Sequence, residues 1–99
     1  MIAVISTFTI QAGRQQELLD LLRANAEDVL RHQPGFVTMD LLITADGTTV
    51  VNHARWTDAA AVHAMMADAA VRSRMAPVWA ISRPAVQQFT LSSSHAPDE

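Results

Sequence analysis

Asn52 and Trp56 lie four residues apart in the segment Val50 to Trp56, whose composition is typical of a β-strand. Alternate side chains of a strand share a face, so both point the same way, with Cα atoms roughly 13 Å apart. An indole offers a flat stacking surface and an N–H donor, and a carboxamide both donates and accepts hydrogen bonds. The pair therefore predicts a site for a flat ligand of about that length, or else a core tryptophan beside an asparagine that bonds to its neighbours.

The composition narrows the class of protein. The 99 residues are 49% hydrophobic and 17% charged, which predicts one folded domain. The net charge of −3, with no lysine and no basic run, argues against nucleic acid as a ligand. The absence of cysteine excludes a disulfide, a thiolate nucleophile and a cysteine-ligated zinc or iron–sulfur site. With no basic leader and no apolar run of about 18 residues, we expect a soluble, cytoplasmic protein without membrane contact.

Hydrophobic periodicity and the positions of Gly and Pro predict the strands and helices that position Asn52 and Trp56. Strands are expected over 2–10, 36–44, 48–56 and 85–92, and Asp46-Gly47 marks the hairpin between the middle two. An amphipathic helix is expected over 14–32, ended by Pro34-Gly35. A second helix is expected from 59 to about 70, capped by Thr57-Asp58, and a further helical piece over 72–81, weakened by Pro77.

This order predicts an α+β, ferredoxin-like βαββαβ subunit, an antiparallel sheet with helices on one face. Residues 1–92 form the domain, and 93–99 are expected to be a polar, mobile tail. A chain this short hides only about 60–65% of its unfolded surface. We therefore expect the open sheet face to be covered by a second copy, in a homodimer.

The hairpin loop decides which residues of strand 36–44 share the face of Asn52. A three-residue loop with Gly47 as a bulge puts Leu42 opposite Val50 and Asp40 opposite Asn52. A two-residue loop would instead bring Val37, Met39, Leu41 and Ile43 to that face. We favour the three-residue loop, which predicts a substrate-facing surface that includes Phe36, Thr38, Asp40 and Leu42.

Three segments together resemble the antibiotic biosynthesis monooxygenase family: Pro34-Gly35-Phe36, Asp46-Gly47-Thr48 and Val51-Asn52-His53-Ala54-Arg55-Trp56. The resemblance covers nearly the whole chain. Subunits of that family pair into dimeric α+β barrels, and the resemblance implies the same for this chain. It is strongest to the actinorhodin-type enzymes, which oxidise an anthrone to a quinone with molecular oxygen and neither flavin nor metal. It implies catalytic roles for Asn52 and Trp56, no cofactor, and a small aromatic substrate.

The resemblance also brings substitutions in the expected pocket. Leu42 stands where the actinorhodin type has a histidine, and Val62 where it has a tyrosine. We take Val62, His63 and Met66 as further substrate contacts, with Asp40 and His63 as the available general bases. Ser6 stands where related sites have an asparagine.

Several other residues near the expected site carry a weaker signal. Met66 and Ser6 occupy the places of two residues that the haem-degrading relatives need, which argues against haem. Met65, Met66 and Met75 are expected to fill space above the ligand. Trp79 either closes the pocket or, as we favour, anchors the last helix. Arg74 and Arg83 contact either a substrate oxygen or a surface carboxylate.

Other activities remain open. One is a quinol monooxygenase, or an isomerase or cyclase of the same fold. The other is a non-catalytic dimeric module that binds an aromatic metabolite.

Overall fold

Four antiparallel strands form one sheet in the computed structural model, which describes residues 1–98. The strands stand in the order β2-β3-β1-β4, the ferredoxin-like arrangement. The predicted α+β fold is therefore confirmed, and the further helical piece is a helix that contains Pro77. The elements are β1 (Ile2–Thr9), α1 (Gln15–Asp28), a 3-10 turn (Leu30–His32), β2 (Phe36–Ile43), β3 (Thr49–Trp56), α2 (Ala59–Ala67), α3 (Ala69–Ile81) and β4 (Arg83–Thr90).

Two aspartates set where the helices of the second half begin. The carboxylate of Asp58 accepts a hydrogen bond from the amide of Ala61 at 2.8 Å, which confirms the predicted cap of α2. Asp68 accepts from the amides of Ala70 and Val71 at 2.9 and 3.1 Å. Asp68 therefore ends α2 and caps α3, so the boundary falls earlier than the sequence predicted.

The helices cover one face of the sheet, and the core there divides into two clusters. The first, called the Phe8 cluster, contains Phe8, Ile10, Leu18, Leu19, Leu22, Val50 and Val78. The second, called the Trp56 cluster, contains Val4, Leu30, Ala54, Trp56, Val62 and Val71. Met75 packs against both clusters, so α3 bridges them.

The predicted register of the β2–β3 hairpin is wrong. Leu41 lies opposite Asn52 and Ile43 opposite Val50, the register that a two-residue loop would also give. The loop instead has four residues, 45–48, and is closed by a 3.2 Å hydrogen bond from the amide of Thr44 to the carbonyl of Thr49. A shift of one residue exchanges the faces of a strand.

A bulge at Val37 returns one residue of β2 to the helix side. The pairing moves between Phe36, which lies opposite Trp56, and Thr38, which lies opposite Arg55. The extra residue changes the alternation at that point. Phe36 therefore packs beside Trp56, although the rest of the predicted face of β2 points away.

The face opposite the helices has no covering element among residues 1–98. Residues 91–98, which include most of the predicted tail, form no helix or strand, and Glu99 of that tail lies outside the described residues. None of the helices described is long and apolar enough to cross a membrane.

Candidate active site

A cavity of about 320 Å³ lies between the sheet and the helices, within the size range of small-molecule sites. Strands β1 and β3 supply most of its floor: Val4, Ser6, Phe8, Asn52, Ala54 and Trp56. Its roof comes from α1, the 3-10 turn, α2 and α3: Leu22, Asn25, Leu30, Met65, Met66, Val71, Arg72, Met75 and Trp79. Most of the wall is apolar, so the cavity suits a largely apolar guest.

Asn52 and Trp56 both line this cavity, as their alternation on one strand predicted. The Asn52 Oδ1 and Trp56 Nε1 atoms are buried and have no hydrogen-bond partner. A buried polar group without a partner costs about 1–3 kcal/mol of stability. The interpretation of Asn52 as bonded to its neighbours therefore fails for Oδ1, and a ligand in the cavity is positioned to satisfy both groups.

Trp56 is also held firmly in place. Its side chain is fully buried, and its ring meets the Phe36 ring edge-on, with centroids 5.4 Å apart and an interplanar angle of 67°. Val62, itself fully buried, packs in the same cluster. Phe36 and Val62 were predicted as substrate contacts, but they do not line the cavity and instead support Trp56.

Three of the predicted substrate contacts lie on the other side of the sheet. Thr38, Asp40 and Leu42 are opposite Arg55, His53 and Val51, and so face away from the cavity. The prediction that they line it is wrong because the hairpin register differs by one residue. Asp40 is therefore no candidate base for a ligand in this cavity.

The two predicted substrate contacts on α2 differ in where their side chains lie. His63 is exposed and does not line the cavity, whereas Met66 does. Met65 and Met75 also line it, so the prediction that methionines fill the space above the ligand is confirmed in placement. Their flexible side chains give the roof an adaptable shape.

The mouth of the cavity is formed in part by Arg72 and Trp79. Trp79 is 50% exposed, while its neighbour Val78 is fully buried. Val78 is therefore the anchor of α3, and the prediction that Trp79 anchors this helix is wrong. Arg74 forms an ion pair with Asp28 at 2.9 Å, the surface role that was one of its two predicted alternatives.

Asn25 is the lining residue that the sequence prediction missed. It lies on the buried side of α1, three residues after Leu22 and seven after Leu18, and is only 1% exposed. The amphipathic pattern over 14–32 predicts a buried side of the helix but does not single out Asn25. The available signal was an asparagine at the helical spacing of two buried leucines, a position where an amide needs a partner.

Charge is sparse around the cavity. Among residues 1–98, Arg72 is the one ionisable residue that lines it. Hydrogen bonds from Thr44 and Thr48 lower the pKa of Asp46, and Glu17 raises the pKa of Arg14, but none of these residues lines the cavity. Within residues 1–98, no three His, Cys, Asp or Glu side chains come together as a metal site would require.

The fold is an α+β subunit with a mostly apolar cavity between its sheet and its helices. The family model described as antibiotic biosynthesis monooxygenase matches residues 1–75, and the chain belongs to that family. The chain is similar to tetracenomycin-F1 monooxygenase of Streptomyces glaucescens, with 34% identity over 84 residues, which are 85% of this chain and 75% of that protein.

Solved structures agree with this assignment. SnoaB, a cofactor-independent oxygenase from Streptomyces nogalater, is 26% identical with a TM-score of 0.84, and the match covers 94% of each chain. The ActVA-Orf6 monooxygenase of Streptomyces coelicolor, solved with nanaomycin D, shares the fold at 22% identity and a TM-score of 0.89, over 98% of this chain and 92% of that one. The chain is thus a monooxygenase of the cofactor-independent kind, as predicted.

Proposed function

We propose that this enzyme oxidises an anthrone-type aromatic polyketide to the corresponding quinone with molecular oxygen. The observation that carries the proposal is the pair of unsatisfied polar atoms, Asn52 Oδ1 and Trp56 Nε1, on the floor of an apolar cavity. Two relatives support the proposal: one is a tetracenomycin-F1 monooxygenase, and another is a cofactor-independent oxygenase.

The reaction is balanced without a further reductant. An anthrone and one O₂ give the anthraquinone and one water. Loss of a proton from the ring methylene gives an enolate, which passes one electron to O₂. Recombination of the two radicals forms a peroxide at that carbon, and loss of water leaves the second carbonyl. Both electron pairs needed to reduce O₂ come from the substrate.

The residues of the cavity act on the enolate. Negative charge gathers on the carbonyl oxygen as the proton leaves, and hydrogen-bond donors fixed at that position stabilise it. The indole N–H of Trp56 and the amide Nδ2 group of Asn52 supply donors, and the apolar walls exclude water that would weaken them. The unpartnered Asn52 Oδ1 can only accept, and a hydroxyl group of the substrate would supply its donor.

The proton itself leaves without a carboxylate or imidazole from the cavity wall. Asp40 lies on the far side of the sheet and His63 on the outside of α2, so neither predicted base reaches the ligand. In this proposal the proton passes to water at the mouth, and the chain contributes by stabilising the enolate. Arg72, at that mouth, favours the anionic form of the substrate by its charge.

The test is oxygen uptake with emodin anthrone and no added cofactor, corrected for uptake with heat-denatured protein. Trp56→Phe keeps the ring but removes the N–H, and Asn52→Ala removes the amide. Each is expected to lower kcat about 100-fold, the effect of losing one fixed donor to an oxyanion. His63→Ala, on the exposed side of α2, is the control and should retain wild-type uptake.

Two outcomes would contradict the proposal. Uptake that persists in both cavity variants would remove Asn52 and Trp56 from the reaction. Quinone binding with no uptake by the wild type would instead indicate a non-catalytic binding module.

We also propose that two copies pair through the open sheet face. That face carries half-buried Val51, His53 and Arg55 of β3 beside exposed Leu42 and Phe89 on the two edge strands. A mixed surface of this kind, with apolar residues on both sides of central polar ones, is compatible with an interface. The cytoplasmic location stays a prediction.

A further inference from the structure

Asn25 is the most deeply buried polar residue of the cavity wall. It lies in the last half of α1, is 1% exposed, and has an Oδ1 atom with no hydrogen-bond partner. Asparagine is a weaker helix former than leucine, and its buried amide loses its hydrogen bonds to water. An apolar residue at this place would stabilise the subunit more. Folding stability therefore does not explain why an asparagine occupies this position.

Two polar side chains, Ser6 and Asn52, line the floor of the cavity, on the wall opposite Asn25. On the floor, Ser6 and Asn52 are cross-strand neighbours, and both line the cavity. Along β1 they are flanked by Val4 of the Trp56 cluster and Phe8 of the Phe8 cluster. Ser6 and Asn52 therefore form a polar strip across the floor, at the boundary between the two apolar clusters.

The roof repeats this arrangement. Leu22, three residues before Asn25, belongs to the Phe8 cluster, and Leu30, five residues after it, belongs to the Trp56 cluster. Asn25 therefore lies at the same boundary, on the helix side. Two carboxamides and a hydroxyl thus line the cavity between two apolar halves, with one carboxamide on each wall.

We propose that Asn25 is a substrate-positioning residue that hydrogen-bonds a hydroxyl group on an outer ring of the substrate. The proposal rests on the proposed function, because it takes the ligand to be a flat aromatic ring system. Asn52 and Trp56 hold the carbonyl oxygen, and Asn25 holds a second oxygen from the other wall. Two anchors fix how the ring is turned in the cavity, which one anchor cannot do.

The chemistry of the amide selects the class of substrate. A carboxamide can both donate and accept, and so can a phenolic hydroxyl, whereas a methyl group does neither. A hydroxyl beside the ring carbonyl bonds internally to that carbonyl, so an outer hydroxyl is the better partner. The favoured substrates are therefore polycyclic aromatics with a free outer hydroxyl.

The test compares the binding of 2-hydroxyanthraquinone and 2-methylanthraquinone, which differ only by hydroxyl for methyl. By the symmetry of anthraquinone, carbons 2, 3, 6 and 7 are equivalent, so one 2-substituted compound represents all four positions remote from the carbonyls. Binding is followed by quenching of tryptophan fluorescence, because Trp56 and Trp79 line the cavity. The wild type is expected to bind the hydroxy compound at least tenfold more tightly, and Asn25→Leu should lose that preference.

Glu27→Leu is the matched control on the same helix. Glu27 is exposed and does not line the cavity, so the tenfold preference should remain. A wild type without preference, or an Asn25→Leu protein that keeps it, overturns the proposal. The wild-type comparison requires no variant and stands even if Asn25→Leu folds poorly.

Thermal unfolding without ligand separates a positioning role from a structural one. If Asn25 serves the ligand, Asn25→Leu removes an unsatisfied buried amide and should raise Tm by about 4–8 °C. A fall in Tm with unchanged ligand preference would show that Asn25 serves the fold.

A hydroxyl preference without oxygen uptake would reject the proposed reaction and keep Asn25 as the recognition residue, whereas failure of both quinones to bind would reject both proposals.

Discussion

At the scale of single residues, Asp46 decides which side chains reach the cavity. Its carboxylate accepts hydrogen bonds from the hydroxyls of Thr44 and Thr48 at 2.7 and 2.8 Å and from the Thr48 amide at 3.1 Å. These bonds stabilise the four-residue loop, and the loop sets the register of β2 against β3. Leu41 therefore lies beside Asn52, where a loop one residue shorter would have placed Asp40.

The charge of Asp46 makes this contribution dependent on pH. The threonine hydrogen bonds hold the pKa of the folded carboxyl below its usual value, so they stabilise the fold above the unfolded pKa of about 3.9. That stabilisation is lost as the pH falls through the folded pKa. Asp46→Ala should therefore lower the urea midpoint at pH 7, and the difference from wild type should shrink at about pH 2.

Asp98→Ala, in the segment after β4, removes the same charge away from the hairpin. It should leave the urea midpoint unchanged at both pH values. A deficit of Asp46→Ala that is equal at pH 7 and pH 2 would mean that the carboxylate charge does not stabilise the loop.

At the scale of elements, the sequence predicted most of the fold and part of the site. Strand alternation was sufficient to place Asn52 and Trp56 on one face, because a regular strand has a fixed period of two. The register of β2 was not predictable from Asp-Gly alone, because side chains of both flanking threonines favour the longer loop. Asn25 was missed because helix periodicity identifies an apolar side, not a polar residue within it.

Gly35 determines how closely the start of β2 approaches α2. Its φ of +82° lies in the left-handed region, and an added Cβ would be 2.5 Å from the Ala61 Cβ and 2.8 Å from the Thr57 Oγ1. Its carbonyl accepts a 2.9 Å hydrogen bond from the Thr57 amide, at the end of the strand that carries Trp56. Gly35→Ala should lower the free energy of unfolding by at least about 2 kcal/mol, measured by urea denaturation.

Gly47→Ala separates backbone strain from the close contact. Gly47 also has a positive φ, of +74°, but no atom lies within 4 Å of an added Cβ. Its replacement should cost about 1 kcal/mol, the strain of the left-handed region alone. Equal losses in the two variants would show that α2 moves away from Gly35 without cost.

At the scale of the whole molecule, one sheet separates two different surfaces. The helix face encloses the cavity, and the opposite face presents transverse rows of cross-strand neighbours. One row runs Leu42, Val51, Thr7 and Ala85, and the next runs Asp40, His53, Ile5 and Gln87. Because β1 and β3 are shared by both faces, packing on the open face holds the strands that form the cavity floor.

Ile5 lies near the middle of this open face, between His53 and Gln87, and tests the proposed dimer. The wild type should sediment at twice the 10.8 kDa of one chain. Ile5→Glu should sediment as a monomer, because pairing would desolvate the new carboxylate, whereas a single subunit leaves it in contact with water. Ala64→Glu, on the exposed side of α2, adds the same charge and should remain a dimer. A monomeric wild type, or a dimeric Ile5→Glu, would show that this face does not form the interface.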